Sequence, residues 1–136
     1  MKKVCSAPVM IVDDNEVDIF INKKVLEFSN FCSETICMTS ATDALDYLQG
    51  DNILPEVIFL DLNMPVVDGF RFLFEYAKFP ESIRQQISIV VLTSSDNNRD
   101  KEKIAANPDV LQFVSKPLNE FKLKKIKDDL FDEVAN

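Results

Sequence analysis

An α/β fold built on a parallel sheet is predicted by three features of the sequence. Five short apolar runs recur along the chain, at Val9–Val12, Thr35–Met38, 57–62, 87–92 and 110–114. Each is followed by a stretch whose apolar residues repeat at helical spacing, so the order is β-α repeated five times. Such alternation implies parallel strands with helices on both faces of the sheet. The strongest runs are continuous rather than alternating, which suits strands buried on both sides.

The elements follow in order. Val9-Met10-Ile11-Val12 is bounded by Pro8 and by Asp13-Asp14-Asn15 and reads as a buried first strand ending in two carboxylates. From Glu16 to Phe28, Val17, Phe20, Ile21, Lys24, Val25 and Phe28 share a helical spacing, apolar except for Lys24, and Asp14 or Asn15 can cap the helix. Thr35-Ile36-Cys37-Met38 is a weaker second strand. A short helix over 42–49 has Ala41, Ala44, Leu45 and Leu48 on one face, with Gly50 placed as its C-cap. The strand over 57–62 leads into a loop containing Pro65, Asp68 and Gly69. A helix then runs to about Lys78 with Phe70, Leu73, Phe74 and Ala77, and Pro80 stops it. The fourth strand, 87–92, ends in Thr93-Ser94-Ser95. A polar helix over 97–106 has few apolar residues and is expected to be the least well anchored. The fifth strand, 110–114, ends at Ser115-Lys116-Pro117, and an amphipathic helix over 120–134 carries Leu123, Ile126, Leu130 and Val134.

Bulk composition narrows the function classes. The chain has 136 residues, enough for one domain with a proper core, and residues 1–136 are read as that single domain with no output domain. A net charge of −8 counts against direct nucleic-acid binding, which needs a basic surface. No window approaches a transmembrane span and the start lacks the apolar core of a signal peptide, so no membrane insertion and a cytoplasmic location are expected. Cys5, Cys32 and Cys37 form no C-x-x-C pair and are read as reduced thiols. Histidine is absent, which removes histidine-based general-base catalysis, histidine metal ligands and any phosphohistidine carrier role.

In a parallel sheet every strand points its carboxyl end the same way, so the residues just after the strands share one rim, where open α/β sheets bind ligands. Here that rim collects Asp13 and Asp14 (first strand), Asp61 (third), Thr93 and Ser94 (fourth) and Lys116 (fifth). Each taken alone also reads as a helix cap or a solvated loop residue. Clustered carboxylates repel one another unless a cation sits among them. An oxygen-only ligand set selects a hard ion, and Mg²⁺ is the one expected here. A carboxylate can also be a nucleophile that forms an acyl phosphate, with Lys116 and the Thr93 hydroxyl holding the phosphoryl oxygens.

With those residues in view, the chain resembles a response-regulator receiver domain of two-component signalling, of the chemotaxis type. The resemblance rests on Asp13-Asp14, Asp61-Leu62-Asn63-Met64-Pro65 with Asp68-Gly69, Leu92-Thr93-Ser94 and Lys116-Pro117, and it covers essentially the whole chain. It implies a flavodoxin-like (βα)5 three-layer sandwich with a five-stranded parallel sheet in the order 2-1-3-4-5. It implies that Asp61 is the phosphoacceptor, served by a sensor histidine kinase or a histidine phosphotransfer protein. Asp14 and Asp61, with the backbone carbonyl of Asn63, would bind Mg²⁺ directly, and Asp13 mainly through water. Thr93 is similar to the family's switch hydroxyl, Phe113 to its rotating aromatic and Lys116 to its phosphate-binding lysine; the Lys116–Pro117 bond is expected to be cis. Output would pass to a downstream protein target by binding or by onward phosphotransfer. Phe113 stands where Tyr is frequent, so its movement would be driven by packing alone, and Ser94 stands where Ala is common. Asn63 and Ser95 occupy positions that modulate acyl-phosphate lifetime in the family.

Two other classes share part of this residue set. A phosphatase or phosphotransferase working through an aspartyl-phosphate would also use Asp, Mg²⁺, Thr and Lys. Its general acid would fall two residues after Asp61, on Asn63, which cannot serve, so no enzyme is expected. A receiver fold kept as an interaction module without switching is the other; phosphoryl uptake on Asp61 separates it from a switch.

Overall fold

The computed structural model describes residues 8–32, 34–62, 69–93 and 98–135, with residues 98 and 131–135 described by their backbone alone. Its elements run β1 (Val9–Val12), α1 (Glu16–Phe28), β2 (Thr35–Met38), α2 (Ala41–Gln49), β3 (Val57–Asp61), α3 (Gly69–Tyr76), α4 (Glu81–Arg84), β4 (Ser88–Thr93), α5 (Asn98–Ala105), β5 (Val110–Ser115) and α6 (Glu120–Ala135). The strands form one parallel sheet in the order β2-β1-β3-β4-β5, the flavodoxin-like arrangement expected. Among the described residues no helix is long and apolar enough to cross a membrane.

Pleating explains the three layers. Successive side chains of a strand point to opposite faces, so each central strand supplies both cores. Met10, Val12, Ile58, Leu60, Ile89 and Val91 face α2 and α3, where Ala44, Leu48, Phe72, Leu73 and Tyr76 complete one buried cluster. Val9, Ile11, Val57, Phe59, Val90 and Leu92 face the opposite way, onto Ile19 and Leu26 of α1 and Leu123 and Ile126 of α6. Phe59 meets Phe31 edge-on, with ring centroids 5.7 Å apart. β1, β3 and most of β4 are buried on both faces, as their continuous apolar runs require, whereas β2 is a half-buried edge.

Local signals set the element ends. The Asn15 side chain accepts from the amides of Val17 and Asp18 and starts α1, and the Ser40 hydroxyl accepts from Asp43 N–H and starts α2. Gly50 caps α2 by donating its amide to the carbonyls of Asp46 and Tyr47.

The structure corrects the sequence reading at three places. The apolar row expected on α1 is not its buried row: Val17, Phe20, Ile21 and Phe28 are 65%, 61%, 47% and 85% exposed, while Ile19, Asn22 and Leu26 face the sheet. On α3 the buried row is Phe72, Leu73 and Tyr76, and Phe74 lies at the surface beneath the cations of Arg71 and Lys78. Pro80 does close the α3 region, but it also opens the single turn α4, in which the amides of Ile83 and Arg84 donate back to the Pro80 carbonyl. One turn is too short to show a period. A further irregularity lies in β5, where Leu111 is an extra residue: Ile89 pairs with Val110 but Val90 with Gln112.

Candidate phosphoacceptor site

Strand register brings the site together. Val12 pairs with Leu60, so Asp13 follows β1 beside Asp61 at the end of β3. Asp61 in turn pairs with Leu92, one residue before Thr93, and Thr93 pairs with Ser115, one residue before Lys116. Backbone bonds then fix the strand ends. Asp13 N–H donates to the Met38 carbonyl at 3.0 Å, Leu62 N–H to the Leu92 carbonyl at 3.0 Å, and Lys116 N–H to the Thr93 carbonyl at 2.9 Å. The edge strand β2, which contributes no side chain to the crevice, thus supplies a carbonyl that holds Asp13.

Asp13, Asp61 and Thr93 are buried, at 1%, 3% and 2% exposure, while Asp14 is open to solvent. Each of Asp13, Asp14 and Asp61 offers a carboxylate oxygen within 4.8 Å of the others. The Lys116 ammonium reaches in from the opposite side. Its Nζ lies 3.0 Å from Asp61 Oδ1, 3.6 Å from Asp18 Oδ2 and 3.9 Å from Asp13 Oδ2. The Lys116–Pro117 peptide bond is cis, as expected.

Electrostatics make the crevice unbalanced. Burial pushes the Asp13 carboxyl up to about 6, against the pull of the Asn15 amide at 2.9 Å; the negative charge of Asp61 pushes the same way as burial. Burial would lower the Lys116 ammonium, but its hydrogen bond to Asp61 and the charges of Asp61, Asp13 and Asp18 outweigh that and hold it above its ordinary value. Asp13 Oδ2 is a buried oxygen with no hydrogen-bond partner. One ammonium among this many carboxylates leaves net negative charge, and an unsatisfied buried oxygen beside an exposed carboxylate suits a hard, partly hydrated divalent cation. The residues present therefore fit a metal of that kind.

Thr93 closes β4 next to Asp61. Counting the pleat from Val91, Thr93 lies on the face shared with Phe113, which opposes Val91 and packs half-buried against the same cluster. Asn63, the expected source of a metal-binding carbonyl, lies outside the described residues, as do Ser94, Ser95, Asp68 and Cys5. Cys32 and Cys37 are free thiols, the first buried and the second exposed.

One residue of the site escaped the sequence reading. Asp18 joins the Lys116 ion pairs from the first turn of α1. Its signal is its place three residues after the Asn15 cap, where a helix start points its first turn back at the preceding strand end. Gly69 begins α3 and donates its amide to the Leu62 carbonyl at 2.9 Å. A Cβ there would come within 2.8 Å of Leu62 Cα and 3.1 Å of the Asp61 carbonyl, so only glycine lets α3 start this close to β3.

Known proteins share this arrangement. The crystal structure of a response regulator receiver protein from Dyadobacter fermentans has a TM-score of 0.81 at 34% identity, over 91% of this chain and 97% of that one. A probable methanogenesis regulatory protein of Methanothrix harundinacea, FilR2, is 30% identical over 126 residues, spanning 90% of this chain and 79% of its own length. The response regulator Rcp1 of Synechocystis is 33% identical over 97 residues, 68% of this chain and 65% of that protein. The Mn²⁺-bound form of a response regulator Rcp1 has a TM-score of 0.71 at 29% identity, covering 93% and 92% of the two chains. Residues 9–127 match the family model described as the response regulator receiver domain. With that match spanning both cores and every described residue of the acidic crevice, the chain belongs to the receiver-domain family of response regulators.

Proposed function

We propose that this chain is a phosphorylation switch whose acceptor is Asp61 and whose metal is Mg²⁺. The observation that carries the reading is the buried Asp61 carboxylate, 3.0 Å from the Lys116 ammonium and grouped with Asp13 and Asp14. Members of the family are phosphorylation-dependent switches of two-component signalling, and receiver domains bind a divalent metal at an acidic pocket. The chain has no histidine, so a phosphohistidine donor must be another protein, a sensor histidine kinase or a histidine phosphotransfer protein. Such donors work in the cytoplasm, and the chain is assigned there.

In the transfer, an Asp61 carboxylate oxygen attacks the donor phosphorus. The new O–P bond forms as the donor P–N bond breaks, and the departing imidazole nitrogen keeps that electron pair. Mg²⁺ bound by Asp13, Asp14 and Asp61, with Asn63 contributing its carbonyl, would offset charge on the phosphoryl oxygens. Lys116 holds the Asp61 carboxylate before the reaction and a phosphoryl oxygen after it. The phosphoryl group brings about −1.5 to −2 charges into the crevice. Thr93 donates its hydroxyl to that group, and Phe113, on the same face and half-buried, follows into the space vacated. Output then passes from the surface of α5, β5 and α6 to a downstream protein.

Acetyl phosphate and Mg²⁺ should produce a mass gain of one phosphoryl group in the wild-type chain and none in Asp61→Asn. A wild type that gains nothing, or an Asp61→Asn chain that gains as much, overturns the assignment.

A further inference from the structure

We infer that Lys122, on the first turns of α6, is a positioning residue that sets Lys116 against the acceptor carboxylate; the inference rests on the role proposed for Lys116. The Lys116 backbone is tied to the sheet on one side only, through its amide and the Thr93 carbonyl. Beyond Ser115 the strand ends, and the chain must turn through Lys116-Pro117-Leu118-Asn119 into α6 with few backbone partners.

Lys122 supplies what the turn lacks. Its ammonium donates to the Ser115 carbonyl at 2.7 Å and to the Pro117 carbonyl at 2.9 Å, with Ser115 Oγ at 3.5 Å. These carbonyls belong to the peptide plane entering Lys116 and to the plane leaving Pro117. One side chain therefore holds the peptide planes on either side of the Lys116-Pro117 pair. A lysine ammonium has three donors and no acceptor, so three oxygens saturate it. The base of the clamp is itself fixed, because the Asn119 side chain accepts from Lys122 N–H at 2.9 Å and Leu123 and Ile126 bury the helix against the sheet.

The geometry matters because Lys116 makes its closest contact, 3.0 Å, from the tip of a long side chain. A small rotation of the backbone at its root is magnified at Nζ, and sub-ångström placement governs transfer rates. The clamp touches none of Asp13, Asp14 or Asp61. It therefore acts on the lysine arm of the site and leaves the metal arm alone. A lysine that only stabilised the β5–α6 turn would have no such selectivity.

The test compares wild type, Lys122→Met and Lys122→Arg in acetyl phosphate with saturating Mg²⁺. It follows the rate of phosphoryl uptake on Asp61 by mass, and measures Mg²⁺ affinity separately. Lys122→Met should slow uptake by about tenfold with Mg²⁺ affinity within about twofold of wild type, and Lys122→Arg, which keeps a charged donor, should recover most of the rate. Uptake by Lys122→Met at the wild-type rate overturns the inference. So does a parallel loss of rate and Mg²⁺ affinity, or an arginine variant as slow as the methionine one. A wild type that takes up no phosphoryl group overturns the switch reading and this inference together.

Discussion

Asp13 is held at a cost that a metal can remove. Burial first, then the charges of Asp61 and Asp18, lift its carboxyl from 3.8 to about 6, despite the Asn15 amide and Lys116. A folded-state value raised above the unfolded one means that the native chain binds a proton between those pH values and the unfolded chain does not. Stability of the metal-free protein therefore falls as pH rises from about 4 to about 6 on this group's account, by an amount of order 2–3 kcal/mol at most. Urea titrations without metal should show that decline, and Asp13→Asn should flatten it and raise the metal-free stability near pH 7. Millimolar Mg²⁺ should recover the lost stability in wild type and do far less for the variant. An unchanged pH slope in Asp13→Asn would assign the decline to other groups. Lys116 contributes with the same sign in a different window, its stabilisation being lost only as pH rises through the alkaline range. Its raised value favours the folded state at every pH below the alkaline range, so it leaves the acid window to Asp13.

At the level of elements, α1 is the anomaly. A helix of 13 residues that leaves Val17, Phe20, Ile21 and Phe28 in solvent has two apolar rows, and only the row of Ile19 and Leu26 meets the sheet. Lys24 partly covers Phe20, at 5.5 Å from its ring centroid. An exposed apolar row that starts one turn from Asp13 and Asp14 is well placed for a protein delivering a phosphoryl group to the crevice. Phe20→Asp should leave thermal stability nearly unchanged, since its side chain lies outside both cores, and should leave the acetyl phosphate rate intact. Transfer from a phosphorylated histidine phosphotransfer protein that reacts with wild type should slow about tenfold or more, a size typical of losing one interface anchor. Equal slowing with acetyl phosphate would place Phe20 in the chemistry, and no slowing with either donor would remove α1 from the docking surface.

Across the whole molecule, rigidity is unevenly distributed. β1, β3 and β4 sit between two packed layers. On α5, by contrast, Ile104 is the one buried apolar side chain among the described residues, with Lys103 stacked on Phe70 of α3 at 5.3 Å. The neighbouring β5 is an edge strand with an extra residue at Leu111. A charge change at Asp61 should therefore be relaxed on that side of the sheet rather than through the centre. Hydrogen exchange of the phosphorylated protein should slow about threefold or more in α5 and β5, with β1 and β3 unchanged. Slowing confined to β1 and β3 would refute this route.

The strands, the parallel sheet and the cluster of side chains at its carboxyl edge were legible in the sequence because each depends on local signals. Continuous apolar runs mark doubly buried strands, and parallel strands necessarily bring Asp13, Asp61, Thr93 and Lys116 to one edge. Their closeness in space needed no knowledge of packing beyond strand direction. Which row of α1 is buried could not be read this way: the row that meets the sheet includes the polar Asn22, and it packs into a cluster with Phe31 and Phe59, which lie outside the helix. The same holds on α3, where Phe72 and Tyr76 were taken inside and Phe74 was left under two cations. Asp18 near Lys116, the clamp from Lys122 and the orphaned oxygen of Asp13 are likewise properties of distances between side chains, set only when the two cores have packed. Sequence alone determined where the strands end and what chemistry stands there. The tertiary structure decided which faces are buried and which charges meet, because both depend on surfaces that folding brings together from remote parts of the chain.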